Sequence, residues 1–218
     1  MSTQLQELHP RIRAELEIVR SSLPLGNTRR VSIREKQFVL PDGTAHRGPI
    51  QAVILDYRNI NRLYPEPFDP TTLTRPDCFA IAKRYEDLSP INHEEIERPL
   101  SGSCATCLNN QFGSAANGKA KRCRNMVRLA IVPPDAEAGT EPMILEIPPS
   151  ALKGWARLIT DLEATGLLPI QVVTEIAFDP SKAYPCPTFK VQRTHDSLTT
   201  FWALRDKATV LLDQTPSA

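Results

Sequence analysis

Apolar positions along this chain recur with two periods, one helical and one of two residues. Over residues 10–22, Ile12, Leu16 and Val19 share a helical stripe and Pro10 suits the first helical position, which predicts an amphipathic helix. Residues 30–40 predict a strand in which Val31 and Ile33 alternate with polar neighbours, and Pro41-Asp42-Gly43 predicts the turn that follows. Residues 50–57 are a more apolar strand. Further short strands are predicted over 128–132, 143–147, 170–178 and 188–192. A second helical stripe runs through Leu152, Trp155, Ile159 and Leu162, with Ser150 as its cap and Gly166 as its stop, and it assigns Trp155 to the core. A third begins at Ser197 and carries Leu198, Phe201, Leu204, Ala208 and Leu211.

Between these regular parts, residues 58–127 break the rhythm, with prolines at 65, 67, 70, 76, 90 and 99 and little periodicity. A stretch of that length inside a compact domain needs something to hold it. The order is strand, strand, long insertion, strand, strand, helix, strand, strand, helix. Short strands with one helix before the last pair predict a mostly β protein with α: an elaborated OB-fold barrel, flanked by N- and C-terminal helices. An α+β sandwich is the competing arrangement. The expectation is one OB-like domain over 1–218, with 58–127 as a stabilised insertion within it.

Composition narrows the class. The 218 residues are 41% apolar, enough for one good core, and the 20 prolines are spread between apolar runs, so the chain reads as folded and loop-rich. Charged residues interrupt the first apolar positions, so no secretory signal is expected. No run approaches the roughly 20 apolar residues of a bilayer crossing, and a soluble intracellular protein without membrane contact is the expectation. In a reducing compartment clustered cysteines favour metal or catalysis over disulfides.

Four of the five cysteines fall in or near one short segment: Cys78, then Cys104-Ala-Thr-Cys107, then Cys123. Thiolates two residues apart on a turn can reach one ion, and zinc takes four ligands in a tetrahedron. Cys78, Cys104, Cys107 and Cys123 are therefore candidate ligands of a closed, structural Zn2+ site, with His93 as a substitute for Cys78. Buried apolar cysteines and a redox role are the alternatives. Cys186, between two prolines, has no assigned role.

The net charge of +1 says little, but its distribution says more. No acidic residue falls between Ser101 and Pro134, while Lys119, Lys121, Arg122, Arg124 and Arg128 do. A local positive field steers a polyanion. A single nucleic-acid strand requires cations that follow its backbone and flat apolar faces for its bases. Phe112 is the aromatic inside the loop; Tyr57, Tyr64 and Phe68, interleaved with Arg58 and Arg62, form a second patch. Arg34 and Lys36 share one face of an early strand and would extend the groove. A solvated basic loop, and core packing of Tyr57, are the plainer readings.

The segments Val53-Ile-Leu-Asp-Tyr-Arg-Asn59, Pro76-Asp-Cys-Phe79, Cys104 through Ser114, and Gly118-Lys-Ala-Lys-Arg-Cys-Arg-Asn125 followed by Arg128-Leu129 resemble a family of bacteriophage single-stranded DNA-binding proteins. Residues 150–155 and 173–178 extend the likeness, which spans about residues 30 to 195. The resemblance implies an OB-like barrel, metal ligands Cys78, Cys104, Cys107 and Cys123, and a binding loop carrying Asn109, Phe112, Lys119, Lys121, Arg122 and Arg124. It also implies non-enzymatic, largely sequence-independent binding and protection of single-stranded DNA during phage replication or recombination, in the cytoplasm of the host cell. Replication proteins of phage or host, and further copies of the chain, are the implied partners. The chain ends Asp213-Gln-Thr-Pro-Ser-Ala218, without the acidic cluster by which bacterial coating proteins recruit partners.

No catalytic grouping has persuasive spacing: the phosphate-cradling glycine loop, His-Glu-x-x-His and Gly-x-Ser-x-Gly motifs are absent. Asp56, Asp69, Asp77 and Glu86 are the carboxylates a metal-dependent nuclease would draw on. The expectation is a binder and not an enzyme, with a zinc-stabilised structural or transcription-adaptor protein and a nuclease as the alternatives.

Overall fold

The polar residues that follow the apolar run at 50–57 do not end its strand. In the computed structural model, which describes residues 29–64, 75–92 and 100–215, that strand runs on to Leu63. The described strands are β1 (Arg30–Arg34), β2 (Gln37–Val39), β3 (Ala45–His46), β4 (Ile50–Leu63), β5 (Cys78–Ala82), β6 (Ile91–Asn92), β7 (Arg124–Val132), β8 (Met143–Ile147), β9 (Val172–Phe178) and β10 (Pro187–Thr194). Two helices accompany them, α1 (Leu152–Ala164) and α2 (Leu198–Leu212). The helix predicted over residues 10–22 lies outside the described residues.

One sheet joins the strands in the order β10-β9-β4-β7-β8-β1-β2-β3, and β5 pairs with both β4 and β6. All described pairings are antiparallel except β1 with β8. The sheet is a curled half-barrel, compatible with a β-barrel-like fold. Its two ends meet through side chains: the Phe38 ring of β2 stacks on Phe178 of β9 at 4.3 Å.

Alternation along β4, β7 and β8 assigns two faces. Ala52, Ile54, Leu129, Ile131, Leu145 and Ile147 point into the concave interior, which α1 fills with Trp155, Leu158 and Leu162. Val53, Leu55, Ala130, Val132 and Ile144 point outward and are covered by Phe201, Leu204, Ala208 and Leu212 of α2. Leu198, expected on the buried side of that helix, is about one-third exposed, at 36%.

Local chemistry explains most boundaries. Gly166 has φ +69°, and the amides of Gly166 and Leu167 donate to the carbonyls of Glu163 and Leu162, each at 3.0 Å. That is the left-handed stop the sequence predicts. Ser150 does not cap α1: a 3-10 turn over Pro149–Ala151 precedes the helix, and Ala151 occupies the cap position. The strand expected over 30–40 is a tight hairpin, with Ser32 opposite Val39 and Glu35 and Lys36 turning at φ 46° and 58°. Two consecutive left-handed residues are the signature of a type I′ turn, for which Glu-Lys is an unusual pair.

The region 58–127 is also more regular than its composition suggests. It contains the second half of β4, both β5 and β6, and the first residues of β7.

Candidate nucleic-acid interface and cysteine cluster

The end of β4 decides what the loop after it meets. Asn59 and Asn61 project from the face shared with Tyr57, and Arg58 and Arg62 from the other, because a bulge between Ile54 and Asp56 shifts the alternation. Both kinds of polar residue find partners within the protein, although Asn61 Nδ2 and Arg62 Nε are left without a hydrogen bond.

Arg58, Arg62 and Arg128, expected to line an exposed groove, are buried. Arg62 donates two hydrogen bonds to Glu146, and Arg128 Nε reaches the same carboxylate at 3.1 Å, with Arg30 as a third partner. Arg128 Nη1 also donates to the carbonyls of Leu212 at 2.8 Å and Gln214 at 2.6 Å, where the negative end of α2 welcomes a cation. Arg58 holds Asp213 through Nε at 2.6 Å and Nη2 at 3.1 Å. Arg128 and Arg58 thus fasten the C-terminal helix to the sheet.

Burial pushes the Glu146 carboxyl up, but Arg62, Arg30 and Arg128 outweigh it and hold the group below the usual glutamate range. One carboxylate serves three guanidinia. Arg128 is accordingly pushed down, first by burial and then, against the pull of Glu146, by Arg62 and Arg30.

Cys78, Cys104, Cys107 and Cys123 are all buried at the start of β5 and in the adjoining loop. Cys104 packs with Ala80 and Leu88. Burial and the neighbouring Cys104, Cys107 and Asp77 push the Cys78 thiol up to about 11. Burial, Cys104, Cys78 and Cys107 push Cys123 up to about 12. The four sulfurs thus lie within electrostatic reach of one another. As they stand, no three His, Cys, Asp or Glu side chains among the described residues form a group that could hold a metal ion. His93 lies outside the described residues.

Two observations fit the donor set to a soft cation. Four buried thiols on one loop and one strand end are zinc-type ligands. Asn61 Nδ2, in a residue only 2% exposed, satisfies no hydrogen-bond geometry; burial holds the Cys104 thiol above its usual range, and Asn61 pulls against that rise. A buried donor aimed at a sulfur gains a full acceptor when the thiol becomes a thiolate.

The loop between Cys107 and Cys123 has a defined shape. The Cys123 amide donates to the Asn109 carbonyl at 2.8 Å, and the Gly113 and Ala115 amides donate to Ala120 at 3.0 and 3.1 Å. Ser114 Oγ donates to the Asn109 and Gln111 carbonyls and accepts from the Arg122 amide at 2.9 Å. Beneath them, Asn125 Nδ2 donates to Asn61 at 2.6 Å and Asn110 at 2.8 Å, and Lys121 Nζ donates to Asn125 at 3.0 Å. The side-chain amides of Asn61, Asn110 and Asn125 hold the loop onto β4 and β7. Asn110, Asn61 and Asn125 carry no sequence motif that would have marked this part.

What the loop presents outward is aromatic and cationic. Phe112 is 81% exposed, with the Lys121 ammonium 5.1 Å from its ring centre. Lys119 and Arg124 are exposed, Arg122 and Asn109 half-exposed, and Arg124 lies 5.8 Å from the half-exposed Tyr64 ring. Leu108 is 83% exposed beside them. Tyr57 is placed differently: it packs edge-on against Trp155 at 5.2 Å, and the Lys83 ammonium covers its ring at 3.8 Å. Arg34 and Lys36 sit at the β1–β2 hairpin, where Lys36 donates to the Lys182 carbonyl. Phe68 and Asp69 lie outside the described residues. Asp56 is buried among cations, and Glu86 pairs with Arg84 on the surface.

The chain matches no family model, no curated protein and no solved structure.

Proposed function

We propose that this protein binds single-stranded DNA without catalysing a reaction, using the loop between Cys107 and Cys123. The observation that carries the reading is Phe112: a fully offered aromatic ring flanked by Lys121, on a loop whose 101–134 stretch has no acidic residue. Hydration of an exposed phenyl group is unfavourable, and a stacked base relieves it without regard to sequence. Lys119, Arg122 and Arg124 stand where they would meet the phosphates, and Tyr64 beside Arg124 offers a second ring. Arg58, Arg62 and Arg128 belong to the scaffold in this reading, and Tyr57 to the core.

The helix placed before β9 and β10, and the return of β9 to β4, support an elaborated OB barrel as the framework. Cys78, Cys104, Cys107 and Cys123 would hold a structural Zn2+, whose chemistry is to fix the loop and not to act on a substrate. The likeness to phage DNA-coating proteins would place the activity in phage DNA replication or recombination.

Fluorescence anisotropy of a labelled single strand, with its duplex as control, tests the reading at two salt concentrations. The single strand binds more tightly, and each phosphate contact adds about 0.7 to the logarithmic salt slope. Equal affinity for strand and duplex, or a Phe112→Ala and Lys119→Gln variant that binds as the parent does, overturns it.

A further inference from the structure

β4 has a gap along one edge. β9 pairs with it only as far as Val53, β5 joins only at Asn59, and β7 occupies the opposite edge from Val53 to Arg62. A cleft of about 600 Å³ opens over the unpaired residues, within the size range of small-molecule sites. Its walls are apolar: Ile159 and Leu162 of α1, then Leu168 and Ile170.

An added strand does not fit this gap. The Tyr57 amide already donates to Asp56 Oδ1 at 2.9 Å, and the Tyr57 carbonyl accepts from Arg58 Nη1 at 2.9 Å. An extended peptide would have to displace both.

The polar side of the cleft carries two cations, Lys83 and Arg205, with Asp56 between them. Asp56 takes Lys83 on one oxygen; on the other it has Arg58 at 3.2 Å and Arg205 at 3.5 Å. Asp213 is held by Arg58 outside the cleft, so the two carboxylates of the lining are the saturated Asp56 and the exposed Glu163. Glu163 is exposed on the rim. Asp56 has no capacity left, whereas the Lys83 ammonium has further N–H groups, and the Arg205 guanidinium makes no hydrogen bond among the described residues. Both side chains are partly open to solvent, at 42% and 30%.

We propose that this cleft is a binding site for a small amphipathic anion, an apolar body lying between Ile159, Leu162, Leu168 and Ile170 with one carboxylate or phosphate on Lys83 and Arg205. Hydrophobic burial supplies affinity and the two cations fix orientation. The site is independent of the nucleic-acid reading, and its failure would leave that reading untouched.

Isothermal titration of the full chain with octanoate, octyl phosphate, 1-octanol and octyltrimethylammonium tests the site. Both anions bind, octanol binds about tenfold more weakly or worse, and the cation is rejected; the order of the two anions identifies the preferred headgroup. Arg205→Gln weakens the anions about tenfold and leaves octanol unchanged, because Asp56 keeps two other partners. Leu168→Trp, at a position 52% exposed, fills the cleft and removes binding of all of them while the unfolding midpoint holds. Octanol binding as tightly as octanoate, no anion binding up to about 10 mM, or undiminished binding in Leu168→Trp would each overturn the proposal.

Discussion

Glu146 is the residue on which the outer face of the sheet depends, because Arg30, Arg62 and Arg128 all converge on its carboxylate. Replacing it by Gln leaves three cations crowded without an anion, two of them buried, and is expected to cost about 3–5 kcal/mol in a urea titration. The pH dependence follows from the sign of its shift. Its folded-state pKa lies below that of an unfolded glutamate, so the stabilisation is complete above the unfolded value, roughly 4.3, and is lost as pH falls through the folded one. The thermal unfolding midpoint of the parent should therefore fall on acidification below about pH 5, and Glu146→Gln should flatten part of that slope. Phe112 has the opposite character. Being 81% exposed, it can be truncated to Ala without a folding cost, and single-strand affinity should fall by about 1–3 kcal/mol while the unfolding midpoint stays put.

At the scale of elements, the β1–β2 hairpin carries avoidable strain. Glu35 and Lys36 both adopt left-handed backbone, each at a cost of about 1–2 kcal/mol for a side-chain-bearing residue. Glu35→Asn with Lys36→Gly restores the preferred pair for this turn, and a gain of about 1 kcal/mol or more is expected in chemical denaturation. An unchanged or lowered midpoint would mean that the contact of Lys36 with Lys182 outweighs the strain. The C-terminal helix is tied down by its last turn, where Arg128 meets the Leu212 and Gln214 carbonyls and Arg58 meets Asp213. Asp213→Asn should loosen that end first, visible as faster amide exchange over the last turn of α2.

At the scale of the molecule, the described part is one curled sheet whose concave side is filled by α1 and whose convex side is covered by α2, with the cysteine loop seated at the far end of β4 and β7. If the four thiols take up a metal, elemental analysis should give about one zinc per chain. Chelation should then release amide protection over Cys104 to Cys123 while β4, β7 and β8 stay protected. Loss of the whole sheet on chelation, or folded protein with no metal, would sink the structural-zinc reading. The alternating and helical periods by themselves determined the strand at 143–147, all of the one expected over 170–178 but its first two residues, which form a 3-10 turn, both described helices and the Gly166 stop, since those signals are local: burial on one face, and one residue that tolerates left-handed backbone. The cation-rich segment and the four cysteines were equally legible, because charge and thiol chemistry are written in residue type. Only the tertiary structure decided that Arg58, Arg62 and Arg128 serve Glu146, Asp213 and a helix end while Lys119 and Phe112 face water. Polar residues on a strand look alike in one dimension, and whether they meet solvent or a buried carboxylate depends on which distant strand or helix the sheet brings against them.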